Sequence, residues 1–137
     1  VNVPMVISGK NITRINAIED ALINTTDLFA TIANLSEIEI TEINDSSSFK
    51  NLLTTSNTDE RDYIYAEVGL ETGGSNFTIR NATHKYISFE NGSEALYNLI
   101  DNPLENPNLL NVNQLPLSVS DSVIKDVLTT KLTEIRQ

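Results

Sequence analysis

The stretch from Asn91 to Leu110 constrains this chain most strongly: Asn-Gly-Ser-Glu-Ala-Leu-Tyr-Asn-Leu-Ile-Asp-Asn-Pro-Leu-Glu-Asn-Pro-Asn-Leu-Leu. Asn91-Gly92 offers two residues that tolerate positive φ, as a type I′ hairpin turn requires. Behind it, Ala95-Leu96-Tyr97-Asn98-Leu99 suits a strand; in front, Lys85-Tyr86-Ile87-Ser88-Phe89 alternates apolar and polar and pairs with it across the turn. Asp101-Asn102-Pro103 stops the second strand, because proline has no N–H for a ladder and Asp or Asn bonds its own backbone to start a turn. Leu109-Leu110 then forms an apolar plug. Physically, the block is a piece of scaffold.

Two further segments, Tyr63–Val68 and Asn76–Arg80, read as strands joined through Gly73-Gly74-Ser75. No Gly-Lys-Ser/Thr follows the paired glycines, so they make no phosphate loop. After Pro116, Ser118 or Ser120 caps a helix with Val123, Ile124, Val127, Leu128, Leu132 and Ile135 at i, i+4 and i+8 spacings. Its apolar stripe is expected to cover one face of the sheet. The fold class is α+β: an antiparallel sheet of about four strands packed by a C-terminal helix.

The N-terminal part reads differently. Val3-Pro4-Met5-Val6-Ile7-Ser8-Gly9 is an apolar run closed by Gly, the pattern of a short strand buried on both faces in a parallel sheet. Leu28, Phe29, Ile32 and Leu35 recur at helical spacing behind Thr25-Thr26-Asp27 and predict a helix over about Asp27–Leu35. Asp27 is expected to serve as an N-terminal carboxylate favoured by the helix dipole. Ser46–Leu53 reads as a loop feeding a short helix, and Thr54–Arg61 as a polar loop. Asp59, Glu60 and Asp62 lack the spacing and central Gly of an EF-hand.

Composition excludes several functions. The 137 residues are 39% apolar and carry 19 acidic against 9 basic groups, a net charge of −10 that argues against wrapping nucleic acid. No run approaches the roughly 20 apolar residues of a membrane-spanning helix, and the N-terminus lacks the pattern of a signal peptide. Without cysteine there are no disulfides, thiolate chemistry or Cys-ligated metals. With His84 the only histidine, no Ser-His-Asp triad is assigned. Seven Asn-x-Ser/Thr sequons, at Asn11, Asn24, Asn34, Asn44, Asn76, Asn81 and Asn91, reflect the abundance of Asn. Arg80, His84 and Lys85 are the one basic cluster. They read either as strand-end ion pairing or as an edge that touches an anionic substrate.

Leu96-Tyr97-x-Leu99-x-x-x-Pro103-x-Glu105-x-x-Asn108-Leu109 resembles the C-terminal signature of the sulfatase family, usually L-Y-D-L-x-x-D-P-x-E-x-x-N-L. Asn98 and Asn102 stand where Asp is usual, and both keep the capacity for an Asx-turn. Val3–Gly9 is similar to the family's R-V-P-x-I-x-x-x-P-G, with Asn2 for Arg and Lys10 for Pro. Asp27–Ala33 resembles D-L-x-P-T-L-L-x-L-A-G, with Ala30 for the first-turn Pro. Ser46–Leu53 resembles D-G-x-S-F-x-x-L-L without the Gly, and Thr78–Ile87 resembles A-I-R-x-x-x-x-K-Y-I.

The resemblance implies that residues 1–57 are the end of an α/β sulfatase catalytic domain (strand, helix, loop) and residues 58–137 its C-terminal antiparallel subdomain. It implies a parent that hydrolyses sulfate esters, those of sulfated carbohydrates among them, with calcium and a formylglycine matured from C/S-x-P/A-S-R. No such motif occurs here, so no catalytic or metal-binding residue is assigned in this chain and the segment alone is expected to be inactive. Arg80, His84 and Lys85 become pocket-wall candidates facing a sulfated sugar. The expected partner is a missing N-terminal catalytic domain, with neither nucleic acid nor membrane. Many sulfatases are exported, which implies an extracytoplasmic location. Without its neighbours, the first strand is expected to self-associate through Val1 to Ser8 or to lack fixed order. Two alternatives remain: a free-standing binding or structural module, and a phosphate or phosphonate ester hydrolase of the same alkaline-phosphatase-like superfamily.

Overall fold

A computed structural model describes residues 3–39, 45–56, 61–69 and 74–137. Val1, Asn2, Asn44, Asp59, Glu60 and Gly73 lie outside the described residues. The chain divides into two units, Val1–Arg61 and Asp62–Gln137.

The first unit is built around helix α1, Asp27–Leu35. Its Thr26 N-cap makes no side-chain bond. The exposed first-turn donors of a helix need acceptors, and a distant residue supplies one: Ser46 Oγ accepts the Ala30 N–H at 3.0 Å and donates to the Thr26 carbonyl at 2.7 Å. Thr31 donates its hydroxyl to the Asp27 carbonyl and accepts the Phe49 N–H, which fixes the loop that leads into a 3₁₀ turn, Lys50–Leu53. At the other end of α1 the Lys50 ammonium donates to the Asn34 carbonyl, where the helix dipole is negative. Leu22, Ala30, Ala33, Phe49, Leu52 and Leu53 are buried.

One expectation for this unit is corrected. Val3–Gly9 forms no strand, and the side chains of Val3 and Val6 are 69% and 94% exposed. A β-ladder needs a partner, and among the described residues every strand belongs to a sheet in the second unit. Helix α1 has the predicted limits; it buries Asp27, Ala30, Thr31 and Ala33 and leaves Leu28, Phe29, Ile32 and Leu35 exposed.

The second unit is a four-stranded antiparallel sheet in the order β1-β2-β3-β4, with strands Ile64–Gly69, Ser75–Arg80, His84–Ser88 and Glu94–Asn98. Register places Tyr65, Ile79, Tyr86 and Leu96 in one row across it. Helix α2, Val119–Ile135, lays Leu128 and Leu132 on that row, and these two close a core with Ile79, Tyr86 and Leu96. Ile124 packs at its margin. Val123, Val127 and Ile135, assigned by periodicity to the same stripe, are exposed.

The hairpin turn also differs from expectation. Gly92 takes positive φ (81°) and Asn91 does not. Gly92 N–H bonds the Phe89 carbonyl and Phe89 N–H bonds the Ser93 carbonyl, so Glu90, Asn91 and Gly92 form a three-residue loop ending in a left-handed glycine.

Candidate functional site

The signature block wraps the outer edge of β4. An edge strand leaves alternate N–H and C=O groups unpaired, and these must find other partners. Asn108 provides them: Oδ1 accepts the N–H of Leu96 at 3.0 Å and of Leu110 at 3.0 Å, and Nδ2 donates to the Glu94 carbonyl at 3.3 Å. Leu109 N–H then bonds the Leu96 carbonyl at 2.8 Å. Asn98 Oδ1 accepts the N–H groups of Ile100 and Asp101, the Asx-turn expected of a short polar side chain at that position. Glu105 reaches Lys85 Nζ with both carboxylate oxygens, at 2.9 and 3.0 Å. Each of these signature residues therefore has a structural task around one strand edge.

The basic cluster splits. Arg80 pairs with Lys85 and Lys85 with Tyr97 in the register, so the three line one row on the face opposite α2. Arg80 Nε donates to the Asn81 carbonyl, and Lys85 is held by Glu105. His84, one residue on, points to the α2 face and is 4% exposed. Its Nε2 lies 3.0 Å from Asp121 Oδ1 and its Nδ1 2.9 Å from Thr83 Oγ1. The structure thus unites Arg80 and Lys85 and separates His84 from both.

Asp121 was not singled out from sequence, although Ser118-x-x-Asp121 at a helix start is a capping pattern. Ser118 Oγ accepts the Asp121 N–H at 3.1 Å. The Ser118 hydroxyl, with His84, holds the Asp121 carboxyl below its usual range against the opposing effect of burial. Nearby, the Tyr86 hydroxyl donates to Glu94, which also pairs with Lys125 at 2.7 Å. Burial and that carboxylate raise the Tyr86 phenol.

In the first unit the corresponding charged feature is Asp27. It is 1% exposed and accepts from Arg61 Nη2 at 2.5 Å, Arg61 Nε at 3.0 Å, and the N–H groups of Asn24 and Ser47 at 2.7 and 2.8 Å. Arg61 also donates to the Asp45 carbonyl. The dipole role read from sequence is therefore one part of a buried ion pair that ties three segments together.

No family model matches the chain, and no curated relative matches it. Solved structures do. The structure of BT4656 in complex with its substrate D-glucosamine-2-N,6-O-disulfate matches 80% of this chain and 23% of its own, at 18% identity and a TM-score of 0.65. BT1596, a 2-O GAG sulfatase, matches 81% of this chain and 25% of its own, at 21% identity and a TM-score of 0.63. The chain has the fold of the C-terminal part of a sulfatase. A candidate sulfatase from Bacteroides thetaiotaomicron matches it as well, over 78% of this chain and 24% of its own, at 20% identity and a TM-score of 0.59. The chain spans about a quarter of the length of these sulfatase structures.

The calcium and formylglycine of the sulfatase resemblance do not fit the residues present. Among the described residues no three His, Cys, Asp or Glu side chains come together in a metal-binding group. The chain has no cysteine, and none of its arginines follows a serine, so the formylglycine motif is absent from the sequence.

Proposed function

We propose that this chain is the C-terminal segment of an enzyme that hydrolyses sulfate esters of sugars, and that it acts there as scaffold and pocket wall. The observation that carries the reading is the fold match: four-fifths of the chain overlays about a quarter of BT4656, whose structure is in complex with its substrate D-glucosamine-2-N,6-O-disulfate, at a TM-score of 0.65. Sulfate ester hydrolysis needs an activated nucleophile and cations around the sulfuryl oxygens. In this reading those groups, with calcium and formylglycine, belong to the other three-quarters of the parent. The segment contributes a rigid sheet whose open edge is closed by Asn108 and Leu109. On the sheet face opposite α2, Arg80 and Lys85 are the groups suited to an anionic sugar, and His84 serves as a buried tie to α2.

The test is to sequence the gene upstream of Val1 and assay its complete product. A C/S-x-P/A-S-R motif and sulfate release from a sulfated glucosamine support the reading. A threonine or unmodified serine nucleophile with phosphate-ester turnover would replace it with phosphoryl chemistry, and an initiator methionine at Val1 would replace it with a free-standing module.

A further inference from the structure

Helix α1 is turned inside out relative to an ordinary surface helix. A helix at the surface of a finished domain buries its large apolar stripe and exposes its small and polar side chains. Here Leu28, Ile32 and Leu35, at i, i+4 and i+7, are 39%, 60% and 51% exposed, with Phe29 beside them at 59%. The buried side consists of Asp27, Ala30, Thr31 and Ala33. That side is firmly anchored, through Arg61 and Ser47 on Asp27, Ser46 on the first turn and Phe49 on Thr31. The helix is therefore not free to roll its apolar stripe inward. A rigid stripe of four large apolar side chains marks an interaction surface.

We propose that the Leu28, Phe29, Ile32 and Leu35 face of α1 is the surface on which the remaining polypeptide of the parent sulfatase packs. The inference rests on the proposed function and adds the surface through which the segment joins its parent. The occupant follows from length: the matched sulfatase structures are about four times as long as the part this chain overlays. A second copy of the chain is the competing occupant, and the experiment separates the two.

The chain has no cysteine, so Ile32→Cys gives a thiol at the centre of the stripe and Ser122→Cys an exposed control on α2. Maleimide labelling of each is followed by mass spectrometry of the relevant peptide, in the 137-residue chain and in the complete gene product. Packing of the parent on α1 slows Ile32→Cys labelling at least about tenfold in the complete product and leaves Ser122→Cys unchanged. Equal Ile32→Cys rates in the two proteins overturn the proposal. So does slow labelling in the short chain that speeds up on dilution, which identifies a second copy as the occupant, and so does a gene that encodes nothing beyond these residues. Sulfate release is measured on the same complete product. Protection of Ile32→Cys without sulfate release would leave the packing in place and remove the sulfatase reading.

Discussion

Asn108 stands beside Leu96 in the place of a further strand, its Oδ1 accepting the Leu96 N–H at 3.0 Å while the next residue, Leu109, returns an N–H to the Leu96 carbonyl at 2.8 Å. One side chain and one backbone group thus occupy both hydrogen-bonding groups of a residue at the sheet edge. Asn108→Ala removes the acceptor for the Leu96 and Leu110 N–H groups. Leaving a buried donor unmatched costs about 1–3 kcal/mol, so chemical denaturation of Asn108→Ala should show a loss in that range with an unchanged m-value.

The core of the second unit makes a sharper contrast. Leu128 is fully buried and Val127, its neighbour in sequence, is 43% exposed. Leu128→Ala should cost about 3–5 kcal/mol and Val127→Ala less than about 1 kcal/mol, measured as a shift of the thermal midpoint. Equal costs would mean that α2 is rotated from the orientation described.

The buried Asp27–Arg61 pair holds the first unit. Removing the Asp27 carboxylate takes away the ion pair and the acceptor of the Asn24 and Ser47 N–H groups together, at a cost of about 3–5 kcal/mol. Asp27→Ala should therefore unfold the first unit well before the second, visible as loss of amide protection over α1 while the sheet of the second unit stays protected.

Acid should act through the same carboxylates. Burial alone would raise the Asp27 pKa, but Arg61 and the N–H groups of Ser47 and Asn24 outweigh it and hold the group low. Lys125, with Tyr86, lowers Glu94, and Ser118, with His84, lowers Asp121. A carboxylate depressed in the folded state stabilises above its unfolded pKa, about 4, and loses that contribution as pH falls through the lower folded value. Stability from these groups should be level between about pH 7 and 5 and fall below about pH 4, and Asp27→Asn should flatten the fall in the first unit.

The sequence carried some of this and concealed the rest. The limits of α1, a serine cap of α2 at Ser118 or Ser120, and strands β1 to β4 to within a residue or two were legible because apolar periodicity and turn residues are local signals. The side α1 buries was not legible, because a period of 3.6 identifies the stripe but not the neighbour it meets. The pairing of His84 with Asp121 and Lys85 with Glu105 depends on register across strands and on the placement of α2, which no local window contains. Val3–Ile7 has strand composition without a strand partner, and composition alone makes no ladder.

The proposed function assigns the chain to a sulfate ester hydrolase whose reacting groups lie outside it. The most direct measurement compares sulfate release from D-glucosamine-2-N,6-O-disulfate, the substrate bound in the BT4656 structure, and from an aryl sulfate. It is made on the complete gene product and on the isolated chain, each with and without calcium. The account predicts release by the complete product and none by the isolated chain. Turnover by the isolated chain that survives repurification, or a complete product inactive on every sulfate ester offered, would contradict it.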